Sequence, residues 1–170
     1  MSVKISREEK HSIYKLPLAQ QFEWIGLPSS YPVKKHILKS EETEDYNRVL
    51  KVAMAYAEEA EVLIMPEIHE SEVEIRQRLN IPTLKKNADL KVGTYWVDVK
   101  SPLKIDKLVV NAHKAALQGA IACITDDFID LPDLAHVAHI ILSSDMYTQS
   151  EVHFYVKGSL YKYNSQGLIS

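Results

Sequence analysis

The stretch "NADLKVGTYWVDVKSP", Asn87 to Pro102, decides the fold prediction for this chain of 170 residues. Two short runs rich in apolar and strand-forming residues flank the pair Gly93-Thr94, which is typical of a tight turn. The stretch therefore predicts a β-hairpin with strands over 89–92 and 95–100.

Side chains alternate between the two faces of a strand, and this places the charged residues of the second strand together. Val97 and Val99 are expected to point towards a core, so that Asp98 and Lys100 lie side by side on the opposite face. Asp89, at the start of the partner strand, is expected to reach the same place. The hairpin thus predicts two carboxylates and one ammonium group at one edge of a sheet.

The surrounding sequence alternates between helical and strand patterns, which predicts an α/β fold around a mixed sheet. The further predicted elements are a helix over 41–60, a strand over 62–65, a helix after Pro102, strands over 120–125 and 139–143, and a C-terminal hairpin turning at Lys157-Gly158. We expect residues 1–170 to form a single domain, with an irregular N-terminal arm over 1–39, a core over 40–125 and C-terminal additions over 126–170.

Composition excludes several classes of protein. No apolar run approaches the roughly 20 residues that span a bilayer, and the N-terminus lacks the apolar core of a signal peptide, so we expect a cytoplasmic protein without membrane contact. The single cysteine, Cys123, lies in an apolar run and excludes an internal disulfide.

Positive charge is concentrated around the hairpin although the chain has a net charge of −3. Seven lysines and three aspartates occur from Lys85 to Lys114, so this window carries +4 and the remainder −7. A solvated basic face explains this distribution, and so does a surface that follows the phosphates of a nucleic acid. Lys91 and Lys104 belong to this window.

The predicted cluster suits metal-dependent chemistry on a phosphodiester. Hard divalent cations such as Mg²⁺ prefer carboxylate oxygens, which Asp89 and Asp98 supply. Lys100 can stabilise negative charge on a phosphoryl group. Glu67 directly follows the strand predicted over 62–65 and is a candidate for a third carboxylate. An ordinary solvated strand end is the alternative interpretation.

The ordered set D-x(8)-D-V-K, with an acidic residue upstream and the element order α-β-β-β-α-β, resembles the PD-(D/E)xK nuclease superfamily. More specifically, "LIMPEIHES", "NADLKVGTYWVDVKSP" and "HKAALQGA" resemble the C-terminal nuclease domain of contact-dependent growth inhibition toxins and related phage-borne proteins. The resemblance covers roughly residues 36–125. Asn87-Ala88 stands before Asp89 where that family often has a proline.

The resemblance implies a restriction-endonuclease-like core and a metal-dependent nuclease acting on DNA or tRNA, held by an immunity protein where it serves as a toxin. It implies Mg²⁺ or Mn²⁺, with Zn²⁺ also compatible. The residues that it assigns are Asp89 and Asp98 as metal ligands, Glu67 as an additional ligand, Lys100 as the catalytic lysine, and Lys114 and Gln118 as contacts to the scissile phosphate or its water.

Two other functions remain open from the sequence. A catalytically inactive binding module on the same fold fits the missing proline and the acidic overall charge. An immunity or antitoxin-type protein would fit the net negative charge, although the lysines around Asp98 argue against it.

Overall fold

A mixed sheet forms the centre of the computed structural model, which describes residues 5–26, 28–83 and 85–170. Within these residues nine strands lie side by side in the order in which they occur along the chain. Their bounds are β1 Phe22–Ile25, β2 Val33–His36, β3 Val62–Ile64, β4 Leu90–Val92, β5 Tyr95–Lys100, β6 Ile121–Thr125, β7 Glu151–Val156, β8 Ser159–Asn164 and β9 Gly167–Leu168.

Five α-helices occur in the same described ranges. They are α1 Arg7–Tyr14, α2 Glu44–Tyr56, α3 Val73–Arg78, α4 Leu108–Leu117 and α5 Leu134–Leu142. Short 3-10 turns cover Leu18–Gln21 and Ile105–Lys107. The chain is therefore mixed α/β, as the sequence predicts, and none of the helices described is long and apolar enough to cross a membrane.

Strand directions bring several strand ends to one end of the sheet. β3 pairs antiparallel with β4, β4 pairs antiparallel with β5, and β5, β6 and β7 are parallel to one another. The carboxyl ends of β3, β5, β6 and β7 therefore lie at the same end of the sheet, beside the start of β4. We call this end the carboxyl end of the sheet.

The two hairpins predicted from sequence are confirmed. β4 and β5 pair around Gly93, whose φ of +54° suits a tight turn, with Leu90 opposite Val97. β7 and β8 turn at Lys157 and Gly158, which have φ values of +51° and +79°. Two consecutive residues with positive φ are the geometry of a two-residue hairpin turn.

Helices cover both faces of the sheet. α2 packs its buried residues, among them Val49 and Tyr56, against Val97 and the neighbouring strands. α4 and α5 pack against Ile124 and Phe154 on the opposite face. The hydroxyl of Thr43 accepts a hydrogen bond from the N–H of Tyr46 and so starts α2, three residues later than the sequence predicts.

Two predictions about the flanks are wrong. The expected irregular arm over 1–39 contains α1, β1 and β2, although residues 1–4 and 27 lie outside the described part. β1 and β2 are short and have weak local signals, and they form because β2 finds β3 as a parallel partner. The strand predicted over 139–143 is the second half of α5, because a short apolar run does not distinguish a strand from a buried helix.

Candidate functional site

Strand β5 holds Asp98 and Lys100 on one face, where they form an ion pair under α4. Lys100 Nζ lies 2.7 Å from Asp98 Oδ2, and the two side chains are 16 % and 5 % exposed respectively. Val97, on the opposite face of β5, is fully buried against the α2 layer. The pair is therefore largely buried, which contradicts the interpretation as a solvated strand end.

Two hydrogen bonds across the β4–β5 hairpin place Asp89 beside Asp98. The N–H of Asp89 donates to Asp98 Oδ1 at 3.1 Å, and the N–H of Val99 donates to Asp89 Oδ2 at 2.9 Å. Burial, and next the charge of Asp98, raise the pKa of Asp89 well above its usual value, while the N–H of Val99 acts in the opposite direction. Burial and the neighbouring charge of Asp98 therefore both disfavour the ionised form of Asp89.

Gln118, just after α4, completes the surroundings of Asp98. With its amide nitrogen turned towards the carboxylate, which satisfies both groups, Gln118 donates to Asp98 Oδ2 at 2.7 Å and Oδ1 at 3.2 Å. Gly119 follows with a φ of +71° and ends the helix. A Cβ at Gly119 would lie 2.7 Å from Pro82, so both the backbone conformation and the close approach require glycine here.

The structure does not bring Glu67 together with these residues. Glu67 is exposed beyond β3 and lines a cleft of about 280 Å³ beneath α1. Asn87 fixes the loop that carries Glu67, because its amide donates to the carbonyl of Pro66 at 2.8 Å and accepts from the N–H of Ile68 at 3.0 Å. In the described residues no group of three His, Cys, Asp or Glu side chains could hold a metal ion.

The predicted substrate lysines lie outside the ion pair. Lys104 and Lys114 are exposed, on the segment after β5 and on α4. Lys91 is half-buried on β4, with its ammonium 5.3 Å from the centroid of the Trp96 ring. The role of these three lysines stays a prediction.

Sequence reasoning missed charged residues that tertiary structure adds at the carboxyl end of the sheet. The carboxylate of Asp45, in the first turn of α2, is a further cause of the raised pKa of Asp89. Asp127, after β6, accepts a hydrogen bond from the Thr125 hydroxyl at 3.1 Å, and that hydroxyl lies 2.7 Å from Ser101 Oγ. No motif marks these positions, and only Ser101 and Asp127 carry a signal in the sequence, since they come shortly after the ends of β5 and β6.

The donor set of the site fits one class of metal ion. Mg²⁺ and Mn²⁺ bind through one or two carboxylates and complete their coordination with waters and substrate phosphate oxygens, so Asp89 and Asp98 suffice. Zn²⁺ prefers about four ligands that include nitrogen or sulfur, which this cluster lacks. Comparisons of the chain with protein-family models, curated proteins and solved structures find no match.

Proposed function

We propose that the protein is a metal-dependent nuclease that hydrolyses phosphodiester bonds of DNA or RNA, tRNA included. The observation that carries the proposal is the placement of Asp89 beside Asp98, next to the largely buried ammonium of Lys100. The order α2, β3, β4, β5, α4, β6 supports it, because this is the order that the resemblance to PD-(D/E)xK nucleases implies, with α3 inserted after β3.

Asp89 and Asp98 would hold Mg²⁺ or Mn²⁺, which when bound polarises a phosphoryl oxygen and lowers the pKa of a coordinated water. The raised pKa of Asp89 makes proton release part of cation binding, so affinity for the cation rises with pH. Gln118 orients Asp98 by two hydrogen bonds. Lys100, once a cation neutralises Asp98, can donate to a phosphate oxygen and stabilise the charge that develops there.

The exposed lysines of the window 85–114 would follow the backbone of the substrate, which predicts that affinity falls steeply with salt. The resemblance further suggests a toxin domain that an immunity protein inhibits. An acidic partner would suit a basic surface that includes Lys104 and Lys114.

Cleavage assays test the proposal directly. Plasmid DNA and total tRNA are incubated with the protein in Mg²⁺, in Mn²⁺ and in EDTA, beside the variants Asp98→Asn and Lys100→Met. We expect metal-dependent cleavage that both variants lose. Asp106→Asn is the matched control, because it removes an exposed carboxylate from the same segment, and it should retain the wild-type rate. Unchanged cleavage by Asp98→Asn would refute the mechanism.

A non-catalytic binding module on the same fold is the second candidate. The absence of a third carboxylate from the cluster in the described residues favours it, since Glu67 lies apart. It predicts that Mg²⁺ does not raise the melting temperature and that no substrate is cut with any metal. Stabilisation of the wild-type protein by Mg²⁺ that Asp98→Asn abolishes would exclude it.

A further inference from the structure

Arg48 has a guanidinium group near the carboxyl end of the sheet that makes no hydrogen bond to any described residue. Its Nη2 lies 3.6 Å from Asp45 Oδ1 and its Nε lies 3.9 Å from Asp127 Oδ2, both too long for hydrogen bonds. The Nε atom is shielded from solvent and unpaired within the described ranges, while the side chain as a whole is 25 % exposed. A partly desolvated guanidinium with free donors gains from binding an anion.

Phe128 presents an aromatic ring beside this guanidinium. The Arg48 Cζ lies 5.3 Å from the centroid of the Phe128 ring, and Phe128 is 50 % exposed. Its loop, "TDDFID" from 125 to 130, is polar, so the ring is not part of an apolar surface. An exposed ring next to a guanidinium that makes no hydrogen bond to a described residue is the combination that single-stranded nucleic-acid sites use, in which a base stacks on the ring and a phosphate binds the cation.

One contact connects this pair to the strand that carries the candidate catalytic residues. Asp127, which faces Arg48, lies 3.4 Å from Ser101 Oγ, and Ser101 directly follows Lys100 on the chain. Asp45, in the first turn of α2, also faces Arg48. The two aspartates hold the guanidinium in place at ion-pair distances without accepting hydrogen bonds from it.

We propose that Arg48 and Phe128 form a subsite for the nucleotide next to the scissile phosphate, with Arg48 binding its phosphate and Phe128 stacking its base. The inference rests on the proposed nuclease function. It also defines the substrate class, because a base can stack on Phe128 only if it is unpaired or splayed out. The protein therefore acts on single strands or on loops and junctions, in preference to continuous duplex.

Binding of a labelled single-stranded oligonucleotide, followed by fluorescence anisotropy over a salt series, tests the role of Arg48. Ca²⁺ replaces Mg²⁺ so that binding is measured without turnover. We expect Arg48→Met to weaken binding roughly tenfold and to reduce the slope of log affinity against log salt by about 0.7. Lys51→Met is the matched control, since it removes an exposed cation one turn further along α2, and it should change neither quantity.

The role of Phe128 is tested with the same oligonucleotide and with a duplex of the same sequence. Phe128→Leu should weaken single-strand binding roughly tenfold, leave duplex binding unchanged and leave the salt slope unchanged, because stacking involves no charge. Phe128→Trp should restore single-strand binding. Arg48→Lys should restore the salt slope with lower affinity, so the test remains valid if Arg48→Met does not fold.

The outcomes separate this inference from the proposed function. If the wild-type protein cleaves and both Arg48→Met and Phe128→Leu keep its KM and kcat, the subsite is overturned and the nuclease proposal stands. Oligonucleotide binding that depends on both residues in a protein that cuts nothing would support the subsite and count against the nuclease. A wild-type protein that binds no oligonucleotide would overturn the subsite, as would equal weakening by Arg48→Met and Lys51→Met.

Discussion

Removal of the Lys100 ammonium group should destabilise the protein by much more than an exposed ion pair contributes. The ion pair is short, at 2.7 Å, and the Asp98 side chain is 5 % exposed. Lys100→Met therefore leaves the Asp98 carboxylate without its cation and with little access to water. Breaking a buried pair costs about 3–5 kcal/mol. The N–H of Asp89 and the Gln118 amide still donate to Asp98 in the variant, so we expect the lower end, about 3 kcal/mol.

A double-mutant cycle separates the ion pair from other effects of the substitution. Asp98→Asn alone should lower the free energy of unfolding by about 1 kcal/mol. The double variant should lower it by about 2 kcal/mol, because two neutral side chains leave no unpaired buried charge. The coupling energy between Asp98 and Lys100 is then about 2 kcal/mol. Urea unfolding at pH 7 in EDTA measures each free energy of unfolding, with EDTA excluding divalent cations that would stabilise Asp98.

The Lys34–Glu61 pair provides the control cycle. Its atoms are 3.4 Å apart but its side chains are 37 % and 47 % exposed, and we expect a coupling below about 0.5 kcal/mol. If Asp98 and Lys100 couple as weakly as this exposed pair, Asp98 is hydrated and the buried ion pair described above does not exist in solution.

Three further predictions concern stability. Burial, and next the charge of Lys35, lower the pKa of His36 to about 4. Because the unfolded state then binds more protons than the folded state below pH 6.5, the free energy of unfolding should fall by about 3 kcal/mol between pH 6.5 and 4. Urea titrations of the wild-type protein and of His36→Gln over this pH range check the prediction, and parallel stability profiles would contradict it. Asp89→Asn should raise the melting temperature in EDTA at pH 7, because the amide avoids the buried charge, and Mg²⁺ should then stabilise only the wild-type protein. Arg76→Met removes three hydrogen bonds to backbone carbonyls and should lower the free energy of unfolding, measured in urea, by roughly 3 kcal/mol. The control Gln77→Met, at an exposed position, should lower it little. Equal losses of stability in both variants would show that Arg76 is not buried.

Local sequence determined the β4–β5 hairpin and with it the centre of the candidate site. A turn at Gly93 and a period of two residues place Asp98 and Lys100 on one face whatever the rest of the chain does. The position of Asp89 follows from the same register, because the pairing of Leu90 with Val97 places Asp89 opposite Asp98. Gln118 was predictable only as part of the resemblance, since its contact with Asp98 needs α4 to pack on that face of the sheet.

Elements that depend on distant partners have no comparable signal in the sequence. β2 becomes a strand because β3 lies beside it, and the apolar run over 139–143 becomes helical because Asp133 accepts a hydrogen bond from the N–H of His136 and so starts α5 upstream of it. Propensity over a few residues is weak compared with these contacts.

The same distinction between local pattern and tertiary packing applies to the charged residues around the site. The sequence alone determined that two aspartates and a lysine meet, because neighbouring strands fix the distance between side chains over a few residues. Only the tertiary structure decided that Glu67 lies apart and that Arg48 and Phe128 meet, since those residues sit on separate elements. Their positions depend on how α2 and the loop after β6 pack, and packing is a property of the whole core that no local pattern encodes.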